Sequence, residues 1–167
     1  SFLYAYNDEA IRFYKDSFDN VIFVGSVELT HQESESLCTG TVERLYGYQP
    51  VMITAQCFIN NYLDGCGYNR SKRFSFRDEK GNRFFSVNNC RDCYSIIYNG
   101  VPTDNVKQLT NNRNTDITNE YLIDFTIESG DQTKKVMDRL EQIHIGVYDP
   151  VNDELDYTRG HYIKGIE

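Results

Sequence analysis

Cys57, Cys66, Cys90 and Cys93 are four of the chain's five cysteines, with 8, 23 and 2 residues between successive members. Thiolates are soft ligands that suit zinc, copper(I) or iron–sulfur clusters. The two-residue gap of Cys90-Arg91-Asp92-Cys93 lets two sulfurs from one turn reach the same metal. Four sulfurs complete a tetrahedral zinc site or a cubane cluster. The first pair is separated by eight residues, so no standard zinc-ribbon spacing is present. Two other readings stay open: two disulfides, or four inert thiols buried as small hydrophobes.

Carboxylates form the second candidate set. Glu28, Asp124 and Glu128 fall near the carboxyl ends of expected strands, where paired acids perform acid/base work or bind a cation. Helix capping or ion pairing would equally account for them. Thr126 is expected beside them. Arg159 and His161, in Thr-Arg-Gly-His, belong either to an ordered tail packed on the barrel, as favoured here, or to one folded back over the site, where Arg159 would offer a bidentate anion contact. His31 and His144 read as cap or surface residues, and Cys38 as a buried thiol. There is no Ser-His-Asp pattern, Gly-rich phosphate loop or His-Glu-x-x-His.

The elements that must hold these groups alternate. An apolar strand at 2–6 precedes a helix from Asp8 to Phe18, capped by Asn7, with Ile11, Tyr14 and Phe18 on one face. Val21 to Val24 reads as a strand buried on both faces. Thr30 and Glu33 form a capping box for a short helix to about Cys38. Glu43–Tyr48 and Val51–Thr54 are strand material divided at Pro50. A hairpin over 73–88 turns at Glu79-Lys80-Gly81-Asn82. Tyr94–Tyr98 is apolar, and 103–119 is polar and rich in Asn and Thr. Tyr121–Glu128 is a strand, and Ser129 caps a helix from Asp131 to Ile143 with Val136, Met137, Leu140 and Ile143 on one face. Strands alternating with helices indicate an α/β fold with a parallel sheet. The expected architecture is one domain over 1–167: a partial (half) TIM-like β/α barrel with a cysteine-rich β-hairpin insertion.

Net charge is −8 over 167 residues, which disfavours wholesale nucleic-acid binding. Residues 70–91 are locally basic, with seven Lys or Arg against Asp78 and Glu79. Interleaved with Phe74, Phe76, Phe84 and Phe85, they form either a nucleic-acid platform or, as favoured here, a solvated hairpin. No apolar run reaches membrane-spanning length, so no membrane partner is expected. Residues 1–7 lack an export signal, so a cytoplasmic location with reduced thiols is expected.

Several motifs in order resemble the collagenase-like peptidase family of unknown catalytic type, number 32 in that series. They are Ser-Val-Glu-Leu-Thr (26–30), Tyr-Gly-Tyr-Gln-Pro-Val-Met-Ile-Thr-Ala-Gln-Cys (46–57), Asn-Cys-Arg-Asp-Cys-Tyr-Ser-Ile-Ile-Tyr-Asn-Gly (89–100), Asp-Phe-Thr-Ile-Glu (124–128) and Thr-Arg-Gly-His-Tyr (158–162). The resemblance implies a barrel-like α/β fold and the carboxyl-terminal part of the catalytic domain, a fragment inactive alone. It implies a peptidase (hydrolase) acting on protein or peptide. The alternative within the family is an iron–sulfur-dependent hydroxylation factor for RNA or a small molecule. Cys57, Cys66, Cys90 and Cys93 match the family's cysteine positions, implying a 4Fe-4S cluster or zinc. The expected partners are the remainder of the full-length chain and, through open sheet edges, a second copy as a homodimer.

Overall fold

The computed structural model describes residues 6–37, 41–62, 66, 73–107, 109, 120–149, 156–161 and 163. The chain is mixed α/β and divides into two compact units, Ser1–Gly47 with Thr103–Glu167, and Tyr48–Pro102 between them in sequence.

The first unit is built around one central strand. Asn7 caps α1 (Asp8–Ser17), its side chain accepting from Ala10 N at 2.9 Å. Ile11 is fully buried against Phe23, with Tyr14 packed beside them. Phe18 does not join this face: it is the extended C-cap and is exposed. The strand expected over 21–24 shortens to β1 (Phe23–Val24). Only Phe23 of that run is buried, so it is not the doubly covered strand its composition suggested. Thr30 and Glu33 close the anticipated capping box on α2 (His31–Ser36). Cys38 and residues 2–5 of the strand expected at 2–6 lie outside the described residues.

The central strand, β2 (Thr41–Gly47), pairs in parallel with β1 through Phe23↔Thr41 and Val24↔Val42. The other elements described in this unit are β7 (Thr103–Asp104), β8 (Tyr121–Asp124) and the helix α4 (Gly130–His144), numbered after α3 (Phe58–Tyr62) of the second unit. β2 also pairs in parallel with β8 and antiparallel with β7, which was not anticipated inside the polar stretch 103–119. Leu45, Tyr46, Val106 and Val136 form the core, joined by Ile123, Phe125, Leu140 and Ile143. Each such side chain contributes about 1.5–3 kcal/mol by leaving water. Ser129 and Gln132 form a second capping box on α4. Met137, expected inward, is exposed. Arg139 is buried instead, because its guanidinium meets the buried Asp104 carboxylate.

The second unit is an antiparallel sheet in the order β3-β6-β5-β4, comprising β3 (Pro50–Thr54), β4 (Arg73–Arg77), β5 (Arg83–Asn89) and β6 (Tyr94–Asn99), with α3 (Phe58–Tyr62). The expected hairpin turn is present: Asp78 N donates to Asn82 O at 3.0 Å, and Gly81 takes a positive φ of 85°. β3 was expected in the parallel series. It pairs antiparallel with β6 through Ile53↔Ile96 and Thr54↔Ser95, so the end that delivers Cys57 belongs to this second sheet. Among the described residues neither sheet closes into a barrel.

Candidate metal centre

All four clustered cysteines line one cavity of about 570 Å³ in the second unit. Cys57 arrives by a short exit from β3. Thr54 Oγ1 accepts from Gln56 N at 3.1 Å, and Ser95 Oγ donates to Gln56 O at 2.9 Å, which fixes the peptide ahead of Cys57. The Cys57 carbonyl accepts from Asn61 N at 3.0 Å as α3 begins. Cys90 and Cys93 lie in the turn between β5 and β6, after the terminal register pair Asn89↔Tyr94. Asn89 Nδ2 donates to Asp92 Oδ2 at 2.9 Å across that turn. Cys93 adopts φ 53°, a left-handed conformation that costs a non-glycine residue about 1–2 kcal/mol. Strain of this kind gathers where a side chain must be aimed.

All four are free thiols; Cys66 and Cys93 are exposed, and Cys57 and Cys90 are half-buried. Neither the disulfide reading nor that of thiols buried as hydrophobes matches this arrangement. Among the described residues no three His, Cys, Asp or Glu side chains already stand as a group able to hold an ion. The thiols thus share a cavity without forming a closed coordination sphere. The donor set itself fits a thiophilic metal: four soft sulfurs on one cavity, with an amide donor at one of them. Asn88 Nδ2 approaches Cys57 Sγ at 3.8 Å, and Ser86 Oγ donates to Asn88 Oδ1 at 2.9 Å. Ser86, Asn88 and Ser95 were not singled out from the sequence. The available signal was two polar residues, Ser86 and Asn88, at alternate positions of β5 in line with Phe84, on a face that should be buried.

The carboxylates are occupied locally. Asp124 ends β8 and lies 2.9 Å from Arg44 Nη2. Glu128 Oε2 accepts from Thr126 N at 2.6 Å and Ile127 N at 2.9 Å, which shapes the entry to α4. Its Oε1 is buried without a hydrogen-bond partner. Glu28 is half-buried in a turn in which Glu28 N donates to Ser26 Oγ at 3.3 Å and Leu29 N to Ser26 O at 3.2 Å. No contact joins Glu28 to Asp124 or Glu128 among the described interactions. His31 Nδ1 meets Glu43 Oε1 at 2.9 Å at the start of α2, and His144 ends α4 exposed. The tail returns to its own unit: Asp104 N donates to Thr158 O at 2.9 Å, and Lys107 Nζ sits 4.8 Å from the Tyr157 ring centre. Arg159 and His161 are exposed.

The basic aromatic hairpin divides its rings between two faces, Phe74, Phe76 and Phe84 on one and Phe85 with Arg73 and Arg83 on the other. Strand alternation sets this division. Phe74 and Phe76 stack with Phe58 and Phe84 stacks on Phe76, with centroids 5.4 Å apart for Phe58–Phe76 and 5.6 Å for Phe76–Phe84. Arg73 and Arg83 each lie 4.6 Å from the centre of Phe85, whose side chain has the opposite parity on β5. Both guanidinium groups thus shield a buried ring. No helix among the described residues is long and apolar enough to cross a membrane. No protein family, curated protein or solved structure matches the chain.

Proposed function

We propose that the protein is a relative of the collagenase-like peptidases that seats an iron–sulfur cluster on Cys57, Cys66, Cys90 and Cys93, and that it serves hydroxylation of RNA or a small aromatic substrate. The supporting observation is the single cavity that all four non-buried thiols line. Its volume of about 570 Å³ far exceeds the space of one ion, given that a water occupies about 30 Å³. That room accommodates a polynuclear group as well as a lone zinc. When bound, such a cluster supplies one-electron chemistry. The chain's own part is to hold it: Ser95 fixes the approach to Cys57, and the Asn89–Asp92 contact braces the Cys90–Cys93 turn. In this reading the parallel strands β1, β2 and β8 are part of a TIM-like barrel, and the protein works in a reducing cytoplasm.

The test is purification without oxygen followed by metal analysis. About four irons per chain with charge-transfer absorption is expected, falling sharply in Cys57→Ser and Cys90→Ser. About one zinc per chain in colourless protein would instead mark a closed structural site. Metal-free protein would overturn the reading.

A peptidase role is favoured by a different observation, the buried and unpartnered Oε1 of Glu128. A carboxylate oxygen held that way can orient a water for attack on a peptide. Peptide hydrolysis that disappears in Glu128→Gln would support this role, and hydrolysis unchanged in that variant would remove it.

A further inference from the structure

Ser86 is fully buried and Asn88 is 2% exposed, both on β5 and both on the sheet face toward Cys57. Burying a side-chain amide is unfavourable unless its polar atoms are paired, and a leucine, with the same branching, would carry no such penalty. The amide's orientation is fixed by its neighbour. The Ser86 hydroxyl donates to Oδ1 at 2.9 Å, which leaves the NH2 group facing Sγ of Cys57 at 3.8 Å. A neutral thiol is a weak acceptor, whereas a hydrogen bond to an anionic sulfur is charge-assisted. The thiolate is also the form that binds metal. The backbone on both sides of Cys57 is pinned, by Ser95 through Gln56 O and by Asn61 N at Cys57 O. A buried relay thus ends on one sulfur of the four, that of Cys57, whose backbone is held on both sides.

We infer that Asn88 is a positioning residue for the metal centre. Oriented by Ser86, it presents an N–H to the Cys57 sulfur that strengthens the metal's hold and sets the redox potential of the bound group. This rests on the four-thiolate reading above. Groups that hydrogen-bond to metal ligands typically change metal affinity by about 10- to 100-fold when removed. N–H donors to cluster sulfurs favour the reduced, more negative state.

The experiment compares wild type, Asn88→Leu and Ser86→Ala, all purified without oxygen, with thermal unfolding as the control for folding. Two readouts are taken: the rate of metal loss to a chelator (EDTA for zinc, bathophenanthroline for iron) and, for iron, the reduction potential by optical titration. Asn88→Leu is expected to lose metal about 10- to 100-fold more readily and to shift the potential to more negative values. Ser86→Ala, which frees the amide to rotate, is expected to move both in the same direction by less. A folded Asn88→Leu with wild-type metal retention and potential overturns the inference and leaves the four-thiolate site standing. Should Asn88→Leu fail to fold, unchanged retention and potential in Ser86→Ala overturns it. Wild type that holds no metal removes both.

Discussion

Arg44 Nη2 lies 2.9 Å from Asp124 Oδ2, joining the parallel strands β2 and β8 by their side chains as well as their backbones. The Arg44 side chain is 8% exposed and that of Asp124 is 30% exposed, so the cation is the more deeply committed partner. Gly47 leaves room for the pair: a Cβ there would come within 2.6 Å of Arg44 Nη2 and 2.7 Å of Asp124 O. Asp124→Asn keeps the shape and removes the charge. Hydrogen bonds to charged groups contribute about 1.5–3 kcal/mol, so a fall of that order in unfolding free energy is expected in denaturant titration. An Asp124 reserved for catalysis would leave the unfolding midpoint in place.

The Arg139–Asp104 contact is more secluded. Their side chains are 5% and 1% exposed, and Asp104 Oδ1 also accepts from Val106 N at 3.1 Å. The pair anchors α4 to β7 across 35 residues. Breaking a buried pair from one side leaves an uncompensated charge. Asp104→Ala is therefore expected to cost roughly 3–5 kcal/mol, and replacing Arg139 and Asp104 together with apolar residues much less. Unfolding curves of the single and double variants test this.

That contact also shows what the sequence made legible. Local signals were sound: Asn7, Thr30 with Glu33, and Ser129 all cap helices where their side chains allow, because capping acts over three residues. The turn at Gly81 was equally readable, because it needs a positive φ. The cysteines were legible as a group through residue type, and they do line a common cavity. Partner choice at long range was hidden. Periodicity placed Met137 inward and gave no reason to bury Arg139, whose partner is 35 residues earlier. An apolar run such as Val51-Met52-Ile53 suggested a covered parallel strand. All three are exposed on β3, an edge strand of the antiparallel sheet, because composition carries no record of which strand pairs with which.

Gly100 gives a sharp test of the second unit. A Cβ at this position would fall 1.9 Å from Arg83 O and 2.6 Å from Arg83 C, backbone atoms that cannot swing away. Gly100→Ala must push β5 from the chain following β6, just where Phe84↔Asn99 closes the ladder. A loss of about 1–3 kcal/mol is expected, as for overpacking elsewhere. Amide exchange should rise first across β5 and β6 and leave α4 unaffected. Equal loss of protection in both units would refute a local clash.

Asp78 makes the β4–β5 turn sensitive to acid. Its carboxylate accepts from the Asn82 side chain at 2.8 Å and from the backbone N–H groups of Asn82 and Lys80 at 2.8 and 2.9 Å. The Asn82 side-chain bond, followed by the backbone donors, holds its pKa below the ordinary aspartate value of 3.8. These donors favour the ionised form in the folded turn, so its contribution is complete above the unfolded value. It is lost as pH falls through the lower, folded one. Between pH 5 and 7 the turn's order should therefore be constant, with fraying only below about pH 4. Chemical shifts of the Lys80 and Asn82 amides report this directly, moving together along one titration curve whose midpoint lies under 3.8. Asp78→Asn should remove that acid transition while keeping the turn, since an asparagine oxygen still accepts from the backbone. A midpoint at or above the ordinary aspartate value would mean that these donors do not favour the carboxylate.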